Sequence, residues 1–174
     1  MRVISDPLLR AESMHKTKLA FVCGDRTRTF EEFVDRCRRV GSVLDLLGVG
    51  TGDRVGLLAA NSDVYAELYC GVPASGRAIV PLNSRWAVPE LAYALEDAGA
   101  KILIADQDAG ELAECVDRVI SFDEYEQLLQ ESSPKEFADT SEADLAGLFI
   151  PVVRQVRARA VSYTHLTLPT ICSV

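Results

Sequence analysis

Three short and nearly continuous apolar runs, residues 54–60 (RVGLLAA), 77–82 (RAIVPL) and 101–105 (KILIA), alternate with stretches of helical periodicity. An apolar run without polar alternation suits a strand covered on both faces. Between the first two runs, Asn61, Ser62 and Asp63 cap a helix reaching about Gly71, with Pro73 placed to kink or stop it. Between the second and third, Pro89 opens a helix whose inner face is Leu91, Ala92, Leu95 and Ala98, and Gly99 closes it. Residues 108–115 then read as a short helix, 116–122 as a fourth strand and 123–130 as another helix. Strands and helices joined by such short loops require parallel βαβ units with right-handed crossovers. The fold class is therefore α/β, a mainly parallel sheet with helices on both faces.

The stretch before these units is equally patterned. Residues 19–23 (LAFVC) form a β-prone run, and Gly24-Asp25 turns it back through Thr29. Thr29 and Glu32 stand at capping-box spacing, so the hydroxyl and carboxylate satisfy each other's orphan backbone N–H groups. Behind them Phe30, Phe33, Val34, Cys37, Val40, Leu44 and Leu47 share one helical face. Gly48 ends that helix. Residues 132–144 (SSPKEFADTSEAD) read as a polar linker, and residues 144–149 (DLAGLF) as the start of a new strand.

Composition narrows the function. Eighteen basic against 26 acidic residues leave a formal charge of −8, which argues against a general nucleic-acid binder. No apolar run reaches the roughly 20 residues of a membrane span. The N-terminus lacks the charged, apolar, small-residue order of a signal peptide. Cys23, Cys37, Cys70, Cys115 and Cys172 are odd in number, scattered and never in a CxxC pair, which points to reduced thiols and a cytoplasmic location.

Candidate chemistry is sparse. The glycines Gly48, Gly50 and Gly52 follow a helix and precede a strand, the reverse of a dinucleotide fingerprint, and so read as a turn. His15 and His165 lack partners at metal-ligand spacing. Glu96 and Asp97 are adjacent on a helix and point apart, as solvated residues do. Arg36, Arg38 and Arg39 lie opposite the apolar face and read as a solvated helix surface. Cys70 sits among apolar neighbours and reads as packing.

Five segments in order resemble the opening of the adenylate-forming (AMP-binding) enzymes, a family of acyl-CoA synthetases, luciferase-like ligases and peptide-synthetase adenylation domains. They are residues 20–33 (AFVCGDRTRTFEEF), 47–58 (LGVGTGDRVGLL), Asn61-Ser62, 78–85 (AIVPLNSR) and 89–101 (PELAYALEDAGAK). The PLNSRW wording leans toward the fatty-acyl or aryl CoA ligases. The resemblance implies the early part of a large N-terminal domain over residues 1–149. It implies a parent enzyme using ATP and Mg²⁺ to adenylate a small-molecule carboxylate, then passing the acyl group to a thiol, usually that of CoA. The family's phosphate loop, adenine-contacting motif, ribose-binding aspartate and lid lysine find no counterpart here. No catalytic, cofactor-binding or metal residue is therefore carried over, and neither activity nor a bound cofactor is expected of this chain alone. The alternative is a non-catalytic α/β binding module that shares only the fold.

Residues 101–150 hold three basic and 13 acidic residues, whereas from Pro151 onward there are three arginines and no acid. In the family a strand like residues 144–149 runs into a loop reading Thr-Gly-Gly-Thr-Thr-Gly. Back-translation of residues 150–156 as ATA, CCG, GTG, GTA, CGA, CAG and GTA, shifted by two nucleotides, encodes that same loop. With AGA or AGG at Arg157 and Arg159 the shifted frame continues as Lys-Ser-Lys-Gly. Residues 150–160 thus read as a frame-shifted phosphate loop. Residues 161–174 (VSYTHLTLPTICSV) resemble translated adaptor sequence and read as an artefactual tail.

Overall fold

A computed structural model describes residues 3–150 and the backbone of a strand at Val161–Tyr163. The elements run α1 (Ser5–His15), β1 (Leu19–Cys23), β2 (Arg26–Thr29), α2 (Phe30–Leu46), β3 (Arg54–Leu58), α3 (Asp63–Ala74), β4 (Ala78–Pro81), α4 (Val88–Ala98), β5 (Ala100–Ala105), a 3₁₀ helix (Gly110–Cys115), β6 (Arg118–Ser121), α5 (Phe122–Glu131), β7 (Gly147–Phe149) and β8 (Val161–Tyr163). β1 and β2 form an antiparallel hairpin. The other strands form one sheet in the order β6-β5-β3-β4-β7-β8. Its first five strands are parallel, and β8 runs antiparallel to β7.

Local chemistry explains most boundaries. The Thr29 hydroxyl accepts from Glu32 N while the Glu32 carboxylate accepts from Thr29 N at 2.8 Å, so the expected capping box starts α2. Gly48 takes φ +71° just beyond that helix, where a side chain would be strained. Ser62 caps α3, and Gly99 closes α4 in the left-handed region. Proline 73 lies in the last turn of α3, which reaches Ala74 rather than about Gly71. The segment expected as a helix over residues 108–115 is a 3₁₀ helix starting at Gly110. α1 has little patterning to mark it, since of its eleven residues only Ser5 and Leu8 are buried.

Side-chain alternation along the strands splits the core into two layers. Ile102 and Ile104 pack under α2, α3 and α5 with Val55, Leu57 and Ile79. Leu103 and Ala105 pack under α4 and the 3₁₀ helix with Leu58 and Val80. A third cluster, Leu8, Phe33, Val34, Cys37, Ala66, Cys70 and Ala74, joins α1 to α2 and α3.

Two sequence expectations are corrected. Residues 132–146 lack regular structure but are docked. Ala138 N donates to Ala74 O at 2.9 Å, Ser42 Oγ donates to Ser133 O at 2.7 Å, and Lys135 pairs with Asp45. These contacts tie the segment to α2 and α3, so it is not a free linker. The three arginines of α2 are not a solvated surface either. Arg36 is paired to Glu67 and Glu126, Arg38 forks onto Glu12 at 2.6 and 2.8 Å, and Arg39 reaches Asp35 and the Ser132 carbonyl. Each arginine stitches α2 to something packed beside it. Helical periodicity cannot show this, because it separates faces of one helix and says nothing of what lies against them.

Candidate functional site

In open α/β sheets ligands settle at the carboxyl ends of the strands, where neighbouring strands send their connections to opposite faces. β3 leaves toward α3 and β4 leaves toward α4, and those helices cover opposite faces of the sheet. The candidate site is therefore the rim formed by the loops after β3 and β4. On the β5 side of β3 the rim is closed, since Ala60 N donates to Asp106 Oδ2 at 2.7 Å. On the β4 side it is built from Asn61, Ser62, Asn83, Ser84 and Arg85. Leu82 N donates to Leu57 O at 2.8 Å and anchors the start of the β4 loop. Arg85 N then donates to Asn83 Oδ1 and Trp86 N to Asn83 O, both at 3.0 Å, so Asn83 folds the loop on itself. Asn83, Ser84 and Arg85 are exposed, while Trp86 packs against the core under α4.

β7 supplies the next margin of the rim. It pairs with β4 at Ile79 and Gly147 and ends at Phe149, whose ring meets Tyr69 edge-on at 6.3 Å. β8 is registered against it with Val161 opposite Phe149. Residues 151–160 and 164–174, with His165 and Cys172, lie outside the described residues.

Beside the rim, Asp63 in the first turn of α3 is buried and holds Arg26 at 2.6 Å and Arg28 at 3.0 Å. This ties the hairpin to the start of α3. Behind the hairpin lies a cavity of about 320 Å³ lined mainly by hydrocarbon and aromatic rings, including Leu8, Phe21, Phe33, Tyr65, Tyr69 and Cys70. Burial pushes the Cys70 thiol up to about 12, and it pushes Tyr69 up to about 12 with help from Tyr65. A thiol held so far from ionising packs and does not attack.

Deeper in the same layer, Glu67 accepts from Arg36 and from the Tyr125 hydroxyl, and Arg36 also reaches Glu126 at 2.5 Å. Burial holds Glu67 above the usual carboxylate range despite Arg36. None of these four residues lines the cavity behind the hairpin, and the knot reads as structural. Sequence patterning placed Asp63 only in the helix cap and gave Glu67 no role, although an acid set within an apolar helix (DVYAELYC) is itself the signal of a buried partner. Of the residues weighed from sequence, Glu96 and Asp97 are exposed, His15 stands beside Phe30 at the end of α1, and Gly48 and Gly52 are turn residues with positive φ.

The family model of the AMP-binding enzymes matches residues 9–163, nearly the whole chain. The chain belongs to the AMP-binding enzyme family. A fatty acid–[acyl-carrier-protein] ligase of Streptomyces coeruleorubidus is 32% identical over 111 residues, which are 62% of this chain and 21% of that protein. A long-chain-fatty-acid–CoA ligase of Mycobacterium tuberculosis is 38% identical over 80 residues, 46% of this chain and 16% of that protein. Among solved structures, a Mycobacterium tuberculosis fatty acyl CoA synthetase superposes with a TM-score of 0.85 at 25% identity, over 95% of this chain and 35% of that one. The chain thus spans about a fifth of the length of the curated relatives it matches. In this member of the AMP-binding enzyme family the matched region takes in the hairpin, the five parallel strands and β8.

Proposed function

We propose that the chain is the opening segment of the large N-terminal domain of an ATP-dependent acyl-CoA ligase. The parent joins a carboxylate to AMP with loss of pyrophosphate, then transfers the acyl group to a thiol, that of CoA. The observation that carries this reading is the route of β7. It enters the parallel sheet beside β4 and stops at the carboxyl rim, where a frame displaced by two nucleotides would, with the codons given above, encode a Gly- and Thr-rich loop. Backbone amides of such a loop cradle phosphates.

The described residues supply a scaffold and one edge of a nucleotide site. In this proposal Mg²⁺ is held by the substrate phosphates and by parts downstream. Transition-state stabilisation by a lysine and by loop amides likewise lies beyond Ile150. As it stands the polypeptide adenylates nothing and holds nucleotide only weakly. Four cysteines stand free among the described residues, which fits a reducing cytoplasm.

The encoding DNA read past the Phe149 codon tests the proposal. The expected result is an open frame, two nucleotides displaced, that continues through the phosphate loop into an adenine-contacting motif and a lid lysine. A single undisturbed frame with native DNA beyond Val174 overturns it. Carboxylate-dependent exchange of pyrophosphate into ATP by residues 1–174 would overturn the assignment of the catalytic parts to the downstream region.

A further inference from the structure

The pocket behind the hairpin, about 320 Å³ in volume, shares no residue with the rim loops. Three of the chain's six phenylalanines and two of its five tyrosines line it. Leu8, Phe33, Ala66 and Cys70 form a buried floor, and Phe21, Phe30, Tyr65 and Tyr69 are half-buried around the mouth. Among the described residues that line it, none carries a charge. The charges nearby are already matched: Asp63 holds Arg26 and Arg28, and Arg38 forks onto Glu12. Burial raises Tyr65 and Tyr69 above the usual phenol range, so both hydroxyls stay protonated at neutral pH.

Close-packed interiors keep few voids larger than a water molecule. This space persists because contacts outside the lining fix each of its walls. The Arg38–Glu12 fork pins α1, which brings Pro7, Leu8 and Ala11 to one side. Asp63 pins the hairpin through Arg26 and Arg28. α2 and α3 can approach no further, since at Gly71 they already leave no room for a Cβ. The Phe21 and Phe33 rings brace each other at 4.6 Å. A preformed apolar pocket takes a ligand with little further ordering of its walls.

An apolar cavity of about half this volume holds benzene, so the space fits two fused rings. The rings at the mouth favour a planar aromatic guest, which loses less rotational freedom on binding than a flexible chain does. An ionised guest would be stripped of water with no counter-charge in reach. We propose that this pocket is a binding site for a neutral two-ring aromatic molecule, separate from the rim assigned to the parent's reaction. The proposal does not depend on the ligase reading, because the pocket is built entirely from residues 7–70.

The test is a calorimetric titration of the full 174-residue chain with 2-naphthol, 2-naphthoate and 1-octanol in separate arms, with ¹⁵N amide shifts to place each ligand. 2-Naphthol should saturate one site at a dissociation constant of about 10–100 µM, with shifts centred on Leu8, Phe21, Phe33 and Tyr69. 2-Naphthoate, with the same rings and a charge, should bind about tenfold more weakly or worse. 1-Octanol, equally neutral but flexible, should bind about three- to tenfold more weakly. Ala11→Trp, at a half-buried lining position, fills the space with the chain's own rings and should weaken 2-naphthol about tenfold or more. Glu131→Gln, at the end of α5, should leave binding unchanged. No saturable binding of 2-naphthol, equal binding of 2-naphthoate, tighter binding of 1-octanol, or shifts centred elsewhere each overturns the proposal. Those four outcomes are read on the unsubstituted chain, whether or not Ala11→Trp folds. A folded Ala11→Trp chain that binds like the unsubstituted one overturns it as well.

Discussion

α4 covers one face of the sheet with Leu91, Ala94, Leu95 and Ala98, and none of the buried polar residues belongs to it. On the opposite face α2, α3 and α5 enclose Glu67 together with Arg36 and the Tyr125 hydroxyl, in the middle of an otherwise apolar layer. The apolar face is held by transfer of hydrocarbon from water, which is non-directional and tolerates small shifts. The other face is held partly by a directional ionic knot, which demands that three helices keep one arrangement. Burial alone would favour a neutral Glu67, so the knot is costly to disturb from either side.

The sharpest way to break this contrast is Arg36→Met, which strands Glu67 without its cation. It should cost about 4 kcal/mol in urea denaturation followed by circular dichroism. The double change Arg36→Met with Glu67→Leu should recover most of that loss, because no buried charge remains. The loss has a definite pH sense. Glu67 already ionises above the usual carboxylate range because it is buried, and removing Arg36 raises it further. The unfolded chain then releases this proton at lower pH than the folded one, so stability falls as pH rises from the ordinary carboxylate value toward the folded one. The Arg36→Met deficit should therefore be larger at pH 8 than at pH 5.

Leu95→Ala, on the apolar face, should cost about 3 kcal/mol through lost burial and a cavity. Here the deficit should be the same at both pH values. Equal pH responses from the two faces would erase the distinction.

Glycine substitutions sharpen the contrast at smaller cost. A Cβ at Gly71 would meet Val40 Cβ at 2.9 Å and the Cys37 carbonyl at 3.1 Å, so α2 and α3 would have to separate. Gly71→Ala should cost about 2 kcal/mol in the same assay. At Gly56 the added carbon meets the ends of Leu95 and Leu103, at 2.7 and 3.1 Å, and those ends can swing. Gly56→Ala should cost about 1 kcal/mol. Thr29→Ala, which opens the capping box at a partly exposed helix end, should also cost about 1 kcal/mol at most. In that variant the Glu32 carboxyl, now held low by the Thr29 backbone N–H and hydroxyl, should rise measurably in an NMR titration.

The apolar face was the more legible one in the sequence. Pro89, the Leu91–Leu95–Ala98 spacing and Gly99 lie within one short stretch, and each acts on its own neighbours. The capping box at Thr29 and Glu32 was legible for the same reason. α1 was missed because it buries little besides Leu8, which leaves a weak apolar stripe. The docking of residues 132–146 was missed because its anchors, among them Ala138 on Ala74 and Lys135 on Asp45, lie far away along the chain. At the candidate site the residues of the β4 loop were in view as part of the resemblance. Their exposure was not.

Taken alone, the amino-acid order determined most of the elements after α1, with their caps and turns and the inward side of the amphipathic helices, because these depend on residues within a few positions of one another. Tertiary structure decided the strand order, the partners of Arg36, Arg38 and Arg39, and the meeting of the β3, β4 and β7 ends at one rim. Those features join groups up to 93 residues apart, as in Arg39 with the Ser132 carbonyl. A charge carries no local mark of its distant counterpart, and only the folded chain brings the two within reach.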